Sequence, residues 1–353
     1  LPMGEGWGEG STPDDIFWTS ASWQVVSTAA AAIVLNEAVN YEQTLLIAND
    51  IPFLHAPAIV ERAKRDFQVQ IQSLIALYGS SYIHLRDAID PARLTWEQSS
   101  LGTPAIYPDI KLAHYSNFMR RHFVERYAVE ESHFVPYASS LTIEHDDFAP
   151  LREDQIERIL CRYGIPLDRP LILAFGRADR VKGFDILLNS LDAVRDRVHL
   201  VLNVVPYVPN APIIGEYCTA IREHGLKVTL LKEYSRALPM ALSQWKKTRI
   251  VVCPSRGEPL SNIPFEVSLW ARDQGPVLLC SNVDGFPEQI EHGVNGFLFD
   301  VDAKGELEAS IAQILRLDDE TCSVIRRNAY ERVVRERDFY RNFREMLRCY
   351  WRG

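Results

Sequence analysis

Two carboxylates, Glu258 and Glu266, lie eight positions apart in the stretch 251–266, VVCPSRGEPLSNIPFE. The apolar, β-prone run 250–253 suits a parallel strand covered on both faces, and Pro254, Gly257 and Pro259 break the chain after it. Ser261 and Asn262 are N-cap residue types and Pro264 fits a first helical turn, so a helix restarting near Ile263 is expected. The amides around Leu260 to Ile263 would then be available to an anion, with phosphate the natural guest. Glu258 falls in the loop before that helix and Glu266 about one turn inside it, so the two would flank the anion and accept hydrogen bonds from sugar hydroxyls. Two glutamates near a helix start also have a plainer use, complementing the helix dipole.

A second corner, upstream, favours the ligand reading. Residues 171–188, LILAFGRADRVKGFDILL, give an apolar strand, a turn at Gly176 with Arg177 and Lys182, then helical spacing at Phe184, Leu187 and Leu188. A forked guanidinium and a mobile ammonium over one loop suit a diphosphate, and could neutralise a departing one without a metal. The glycines at 176 and 183 match neither the dinucleotide fingerprint nor a phosphate-binding Walker loop, which disfavours an NAD enzyme or an ATPase.

GRADRVKG, EPLSNIPFE and the later GPVLLCSNVDGFPEQIEHGVNGFLF together resemble the C-terminal domain of the family 4 retaining glycosyltransferases of GT-B fold, over about residues 150–353. The resemblance implies that Arg177 and Lys182 hold the donor's diphosphate. In the family's E-x7-E element it assigns Glu258 to the donor sugar and Glu266 to the nucleotide ribose, with the amides of Leu260, Ser261 and Asn262 on phosphate and sugar. Relatives often carry Gly where Ser261 stands and Ala where Val267 stands, so a narrowed or hydroxyl-lined sugar pocket is expected here. The segment VTLLKEYSRALPMAL is similar to the strand–loop–helix that receives the base, with Tyr234 or Glu233 nearest to it. Retention of anomeric configuration is implied by the resemblance alone.

Composition agrees with two α/β domains: 353 residues at 47% hydrophobic content can fill two cores. A net charge of −9 argues against a nucleic-acid or anionic-membrane surface, and no apolar run approaches a membrane span. The six cysteines are dispersed, without a C-x-x-C pair, and read as reduced thiols of a cytoplasmic protein. No secretory signal is visible, and a start at Leu1 suggests missing upstream sequence.

The elements that must position these loops alternate through the C-terminal half, with strands expected at 171–175, 199–205, 228–231, 250–253, 277–280 and 297–299. A helix over 151–163, stopped by Gly164, precedes them. A boundary just before that helix follows, and the resemblance implies an acceptor-binding domain 1–148, a donor-binding domain 149–329, and a segment 330–353 whose helix returns to the N-terminal domain, with Arg337, Phe339, Phe343 and Trp351 as packing residues. In the N-terminal half only 45–48, 73–77, 111–115 and 133–135 read as strands, and the family's opening strand is not visible. HYSNFMRRHFVERYAVEESHFVPYAS is similar to the last strand–helix–strand unit of a GT-B N-terminal domain. Residues 3–10, MGEGWGEG, read equally as a glycine loop closing over substrate and as a free terminus.

Of the nine histidines, His84 follows a strand at the edge where doubly wound domains bind ligands, and relatives carry a histidine facing the donor sugar in that region. A satisfied structural histidine is the alternative, as an N-cap or turn is for Asn49 and Asp50; His114 ranks below these. The expected protein is a cytoplasmic, metal-independent retaining glycosyltransferase without a cofactor. It would move a sugar from a nucleotide diphosphate sugar, UDP-linked first and GDP-linked second, to a hydroxyl on a small molecule, glycan or protein. Its rivals are a GT-B nucleotide-sugar epimerase and a catalytically silent nucleotide-sugar-binding subunit.

Overall fold

The computed structural model describes residues 19–84, 89–208 and 211–351. The chain forms two compact units, one of residues 1–138 with 340–353 and one of residues 139–339. Residues 3–10 lie outside the described part.

In the first unit, helix α1 (Ser20–Ala38) opens on Thr19, whose hydroxyl accepts from the Ser22 amide. It is followed by β1 (Thr44–Asn49), α2 (Ala56–Ala63), β2 (Ile71–Ala76), α3 (Ser81–His84), α4 (Pro91–Leu101), β3 (Ile110–His114), α5 (Asn117–Tyr127) and β4 (Phe134–Pro136). The four strands pair in parallel in the order β1-β2-β3-β4, with Leu46 opposite Ser73, Leu74 opposite Lys111 and Ala113 opposite Val135. Ala31, Leu35 and Ala38 of α1 pack with Ala56 and Val60 of α2 and Ile71 of β2. No strand precedes α1 among the described residues. The strand–helix–strand expected from HYSNFMRRHF onward is β3–α5–β4.

The second unit runs α6 (Glu153–Arg162), β5 (Leu171–Arg177), α7 (Phe184–Leu188), β6 (His199–Val205), α8 (Pro212–Glu223), β7 (Val228–Leu231), α9 (Ala237–Ser243), β8 (Thr248–Cys253), α10 (Asn262–Trp270), β9 (Val277–Ser281), α11 (Phe286–Gln289), β10 (Phe297–Phe299), α12 (Glu306–Ile314) and α13 (Asp319–Glu336). Its six strands are parallel in the order β10-β9-β8-β5-β6-β7. From β5 the chain first builds outward through β6 and β7, then returns to place β8 on the other side of β5. The order therefore reverses between β5 and β8, the kind of switch point beyond whose carboxyl ends parallel sheets bind ligands. Burial of β9 and of the runs 171–174 in β5 and 250–253 in β8 accounts for the absence of charge in those stretches.

The last helix, α14 (Phe339–Leu347), buries Met346 against Leu74, Ala76, Ala113 and Val135, with Phe343, Leu347 and Tyr350 beside it. The Tyr350 hydroxyl donates to the Ser73 carbonyl at 3.3 Å. Residues 340–353 thus complete the first unit. Both boundaries fall about ten residues from those drawn on the sequence, the first earlier and the second later. Residues 139–151 are docked on the second unit: the Trp270 indole donates to the Asp147 carbonyl at 2.7 Å, and Gln244 accepts from the Leu151 amide at 2.7 Å. Helix α13 is unbroken to Glu336, and the Arg337 guanidinium sits 4.6 Å from the ring centre of Phe265. Arg337 accordingly packs within the second unit, whereas Phe343 packs within the first.

Candidate functional site

Two loops meet where the strand order reverses. Strand β5 ends at Gly176 (φ 147°) and Arg177, and the Lys182 amide then donates to Asp179 Oδ1 at 2.9 Å, closing a tight turn. Gly183 (φ 66°) follows, and a Cβ on it would fall 2.0 Å from the Pro254 carbonyl oxygen. Only glycine permits that approach of the two loops. Its result is a buried ion pair: Lys182 Nζ lies 2.6 Å from Glu258 Oε2, with the residues 8% and 4% exposed.

The Arg177 guanidinium is carried 5.7 Å from the centre of the Tyr207 ring, its Nε 3.4 Å from Asp179 Oδ2. Arg256, in the loop after β8, grips Asp185 of α7 with two bonds of 2.8 and 2.6 Å and also donates to the Arg180 carbonyl at 2.9 Å. Burial pushes the Asp185 carboxyl up, but the hydrogen bonds and charge of Arg256 outweigh it and hold the group below its ordinary value. The two loops are thereby stitched together on both sides of the Lys182–Glu258 pair.

Glu258 is held from a third corner. Its amide donates to Asp284 Oδ2 at 2.9 Å, its carbonyl accepts from the Gly285 amide at 2.9 Å, and a Cβ on Gly285 would lie 2.0 Å from the Pro259 carbonyl oxygen. Helix α10 begins directly beyond. Ser261 is its N-cap, its hydroxyl accepting from the Ile263 amide at 3.4 Å. The Ser261 backbone is clamped by Gln289, which accepts from its amide at 3.1 Å and donates to its carbonyl at 2.7 Å. That amide, expected to face a ligand, is therefore engaged. Leu260 and Asn262 are the amides left to the corner, Asn262 standing at the first helical position where no intrahelical acceptor exists. Asn262 Oδ1 accepts from Ser139 at 3.2 Å.

Glu266 lies one turn into α10, partly buried, with Oε1 3.5 Å from Arg236 Nη1. Arg236 belongs to the loop between β7 and α9, whose inner limb is pinned by Asn203 donating to the Glu233 carbonyl at 2.9 Å. Tyr234 on that loop is 72% exposed.

One unit thus gathers Gly176, Arg177, Lys182, Glu258, Leu260, Ser261, Asn262 and Glu266 around the switch point, with Tyr234 on the loop after the edge strand β7. His84 ends α3 in the other unit, and its side chain lies outside the described part. Sequence reasoning missed Asp179, Tyr207, Arg236, Arg256, Asp284 and Gln289. Asp179 and the Asp284–Gly285 pair carry turn signals that could have flagged them. For Gln289 and Arg236 no local signal exists, because their roles depend on which elements α10 meets. Among the described residues no three His, Cys, Asp or Glu side chains are grouped to hold a metal ion, and no helix is long and apolar enough to cross a membrane.

A 244-residue stretch, 64% of this chain and 60% of the relative, is 25% identical to alpha-maltose-1-phosphate synthase of Mycolicibacterium smegmatis. The chain thus spans about three fifths of that relative's length. Sucrose-phosphate synthase from Thermosynechococcus elongatus superposes with a TM-score of 0.73 at 18% identity, over 96% of this chain and 79% of that one. HepE from Anabaena, in complex with UDP and glucose, gives 0.71 at 18% identity, over 90% and 80% of the two chains. The fold, two parallel-sheet α/β units, is the GT-B fold of these glycosyltransferases. Residues 155–332, half of the chain and all of the switch-point site, match the family model for glycosyl transferases group 1, and the chain belongs to that family.

Proposed function

We propose that this glycosyltransferase takes its sugar from a nucleotide diphosphate sugar bound at the β5/β8 switch point, retains the anomeric configuration and needs no metal. The observation that carries the reading is the buried Lys182–Glu258 pair at the foot of α10, with Arg177 and the first amides of the helix alongside. In this reading Arg177, Lys182 and the amides of Leu260 and Asn262 take the diphosphate and stabilise it as the glycosidic bond breaks. Glu258 accepts from donor-sugar hydroxyls, Glu266 from the ribose, and the loop bearing Tyr234 receives the base. The roles expected of His84 toward the donor sugar and of the first unit toward the acceptor are part of the same proposal. UDP is the favoured nucleotide, since UDP complexes are known for a structural relative.

Calorimetry and thermal shift with UDP, GDP, ADP and TDP, with and without magnesium, test this on the wild type, Arg177→Ala and Glu266→Ala. Metal-independent binding of one nucleotide, weakened in both variants, is the expected result. No binding of any nucleotide by the wild type would overturn the reading. Binding without transfer to any acceptor would point to the silent subunit, and conversion of the donor without acceptor to an epimerase.

A further inference from the structure

Arg236, beside Glu266 in the site, is also the centre of a wider cluster. Its Nη1 lies 3.5 Å from Glu266 Oε1, and its Nε lies 3.1 Å from Asp147 Oδ2, close enough for ion pairing though outside aligned hydrogen-bond geometry. The guanidinium is also 5.8 Å from the ring centre of Phe148 and 5.9 Å from that of Trp270. The Trp270 indole, in turn, donates to the Asp147 carbonyl at 2.7 Å. The Arg236 backbone is fixed as well: it is the N-cap of α9, and the Ser235 hydroxyl beside it accepts from the Leu238 amide at 3.2 Å. A flexible side chain is thus held by two aromatic faces, a carboxylate and a capped helix, and the end so held is aimed at Glu266.

The chemistry follows from that arrangement. A carboxylate reads a hydroxyl well only when it is ionised and its oxygens are turned toward the ligand. A guanidinium standing 3.5 Å from one oxygen biases how the carboxylate is turned, and so how it meets a hydroxyl. Asp147 belongs to the turn Asp146–Phe148 that enters the second unit, so the same cation ties the entering chain to the nucleotide site.

We infer that Arg236 is a positioning residue for Glu266, setting the preference of this enzyme for a ribose over a deoxyribose in the nucleotide. The inference rests on the reading of Glu266 as the ribose contact, and the test separates the two. Dissociation constants of UDP, GDP and ADP, and of their 2′- and 3′-deoxy counterparts, are measured by calorimetry on the wild type, Glu266→Ala, Arg236→Gln and Arg236→Lys, with thermal stability recorded for each. The expected wild-type preference for the ribonucleotide is about tenfold or more, the scale of a hydrogen bond to a charged group. It should vanish in Glu266→Ala, fall to about threefold or less in Arg236→Gln, and recover in part in Arg236→Lys, because a simple loss of packing would weaken ribo and deoxy forms alike.

A full preference retained by Arg236→Gln while Glu266→Ala loses it would overturn the role of Arg236 and leave that of Glu266 standing. Retention in Glu266→Ala, or absence of nucleotide binding by the wild type, would overturn the reading beneath it. Should Arg236→Gln fail to fold, Asp147→Asn carries the test: a reduced preference supports the coupling, and an unchanged one overturns it.

Discussion

Lys182 Nζ lies 2.6 Å from Glu258 Oε2, joining a residue before α7 to one before α10 across 76 positions of chain. Both side chains are largely buried, so their charges are coupled. Removing one partner should cost on the order of 3 kcal/mol, as for other broken buried pairs. Lys182→Met and Glu258→Leu are each expected to destabilise by that amount, and the double variant by clearly less than their sum. Urea unfolding of the four proteins measures the coupling; additive losses would show that the pair is not an energetic unit.

The same lysine has to serve the ligand in the proposed reaction. Arg177→Ala and Lys182→Ala should each lower turnover by about two powers of ten, on the scale of other lost stabilisers of developing charge. Steady-state kinetics, with circular dichroism confirming the fold of Arg177→Ala, decides this, and wild-type turnover in either variant would remove the assigned roles.

Arg256 and Asp185 give a pH signature. The Asp185 carboxyl is held below its ordinary value, burial working against that shift and Arg256 winning. A depressed folded-state value means that the pair stabilises the fold above the unfolded-state value of about 4 and that this is lost as pH falls below it. Asp185→Asn should therefore cost about 1 kcal/mol at pH 7, a figure discounted for the partial exposure of Arg256, and progressively less below about pH 4. Stability measured across that range should show the two proteins converging on the acid side.

His122 in the first unit predicts the neighbouring window. Burial, with the charge of Arg126 added, lowers its pKa to about 4, and its Nε2 lies 2.7 Å from the Ser80 hydroxyl. The unfolded chain takes up the proton first, so the stability this histidine leaves intact above about pH 6.5 is lost between there and about 4. The loss should approach about 3 kcal/mol at most, and His122→Gln should flatten it. An unchanged pH profile in the variant would show that His122 titrates normally in the folded protein.

Gly285 tests how tightly Glu258 is built. With a Cβ 2.0 Å from the Pro259 carbonyl oxygen, Gly285→Ala must displace the Glu258–Pro259 backbone. Weakening of nucleotide binding by about tenfold is expected, since misplacing such a site by an ångström is costly. Calorimetry on the alanine variant provides the check.

The inner strands β5, β6 and β8 of the second unit were legible in the sequence because each is a largely apolar, buried run ended by glycine or proline. The corners bearing Arg177, Lys182, Glu258 and Glu266 were legible because strand end, turn and helix cap are local events written in consecutive residues. Ser261 was readable as an N-cap for the same reason. What partners these residues find is a different matter. That Glu258 faces Lys182, that Gln289 occupies the Ser261 amide, and that Arg236 stands beside Glu266 all follow from the order β10-β9-β8-β5-β6-β7, which brings loops from distant parts of the chain to one edge. That the second unit begins at 139 likewise depends on Trp270 and Gln244, which hold the entering segment by bonds that no local pattern encodes. Local propensity and burial period fix elements and their ends, while contacts between elements depend on how the sheet is wound, and only the folded chain decides that.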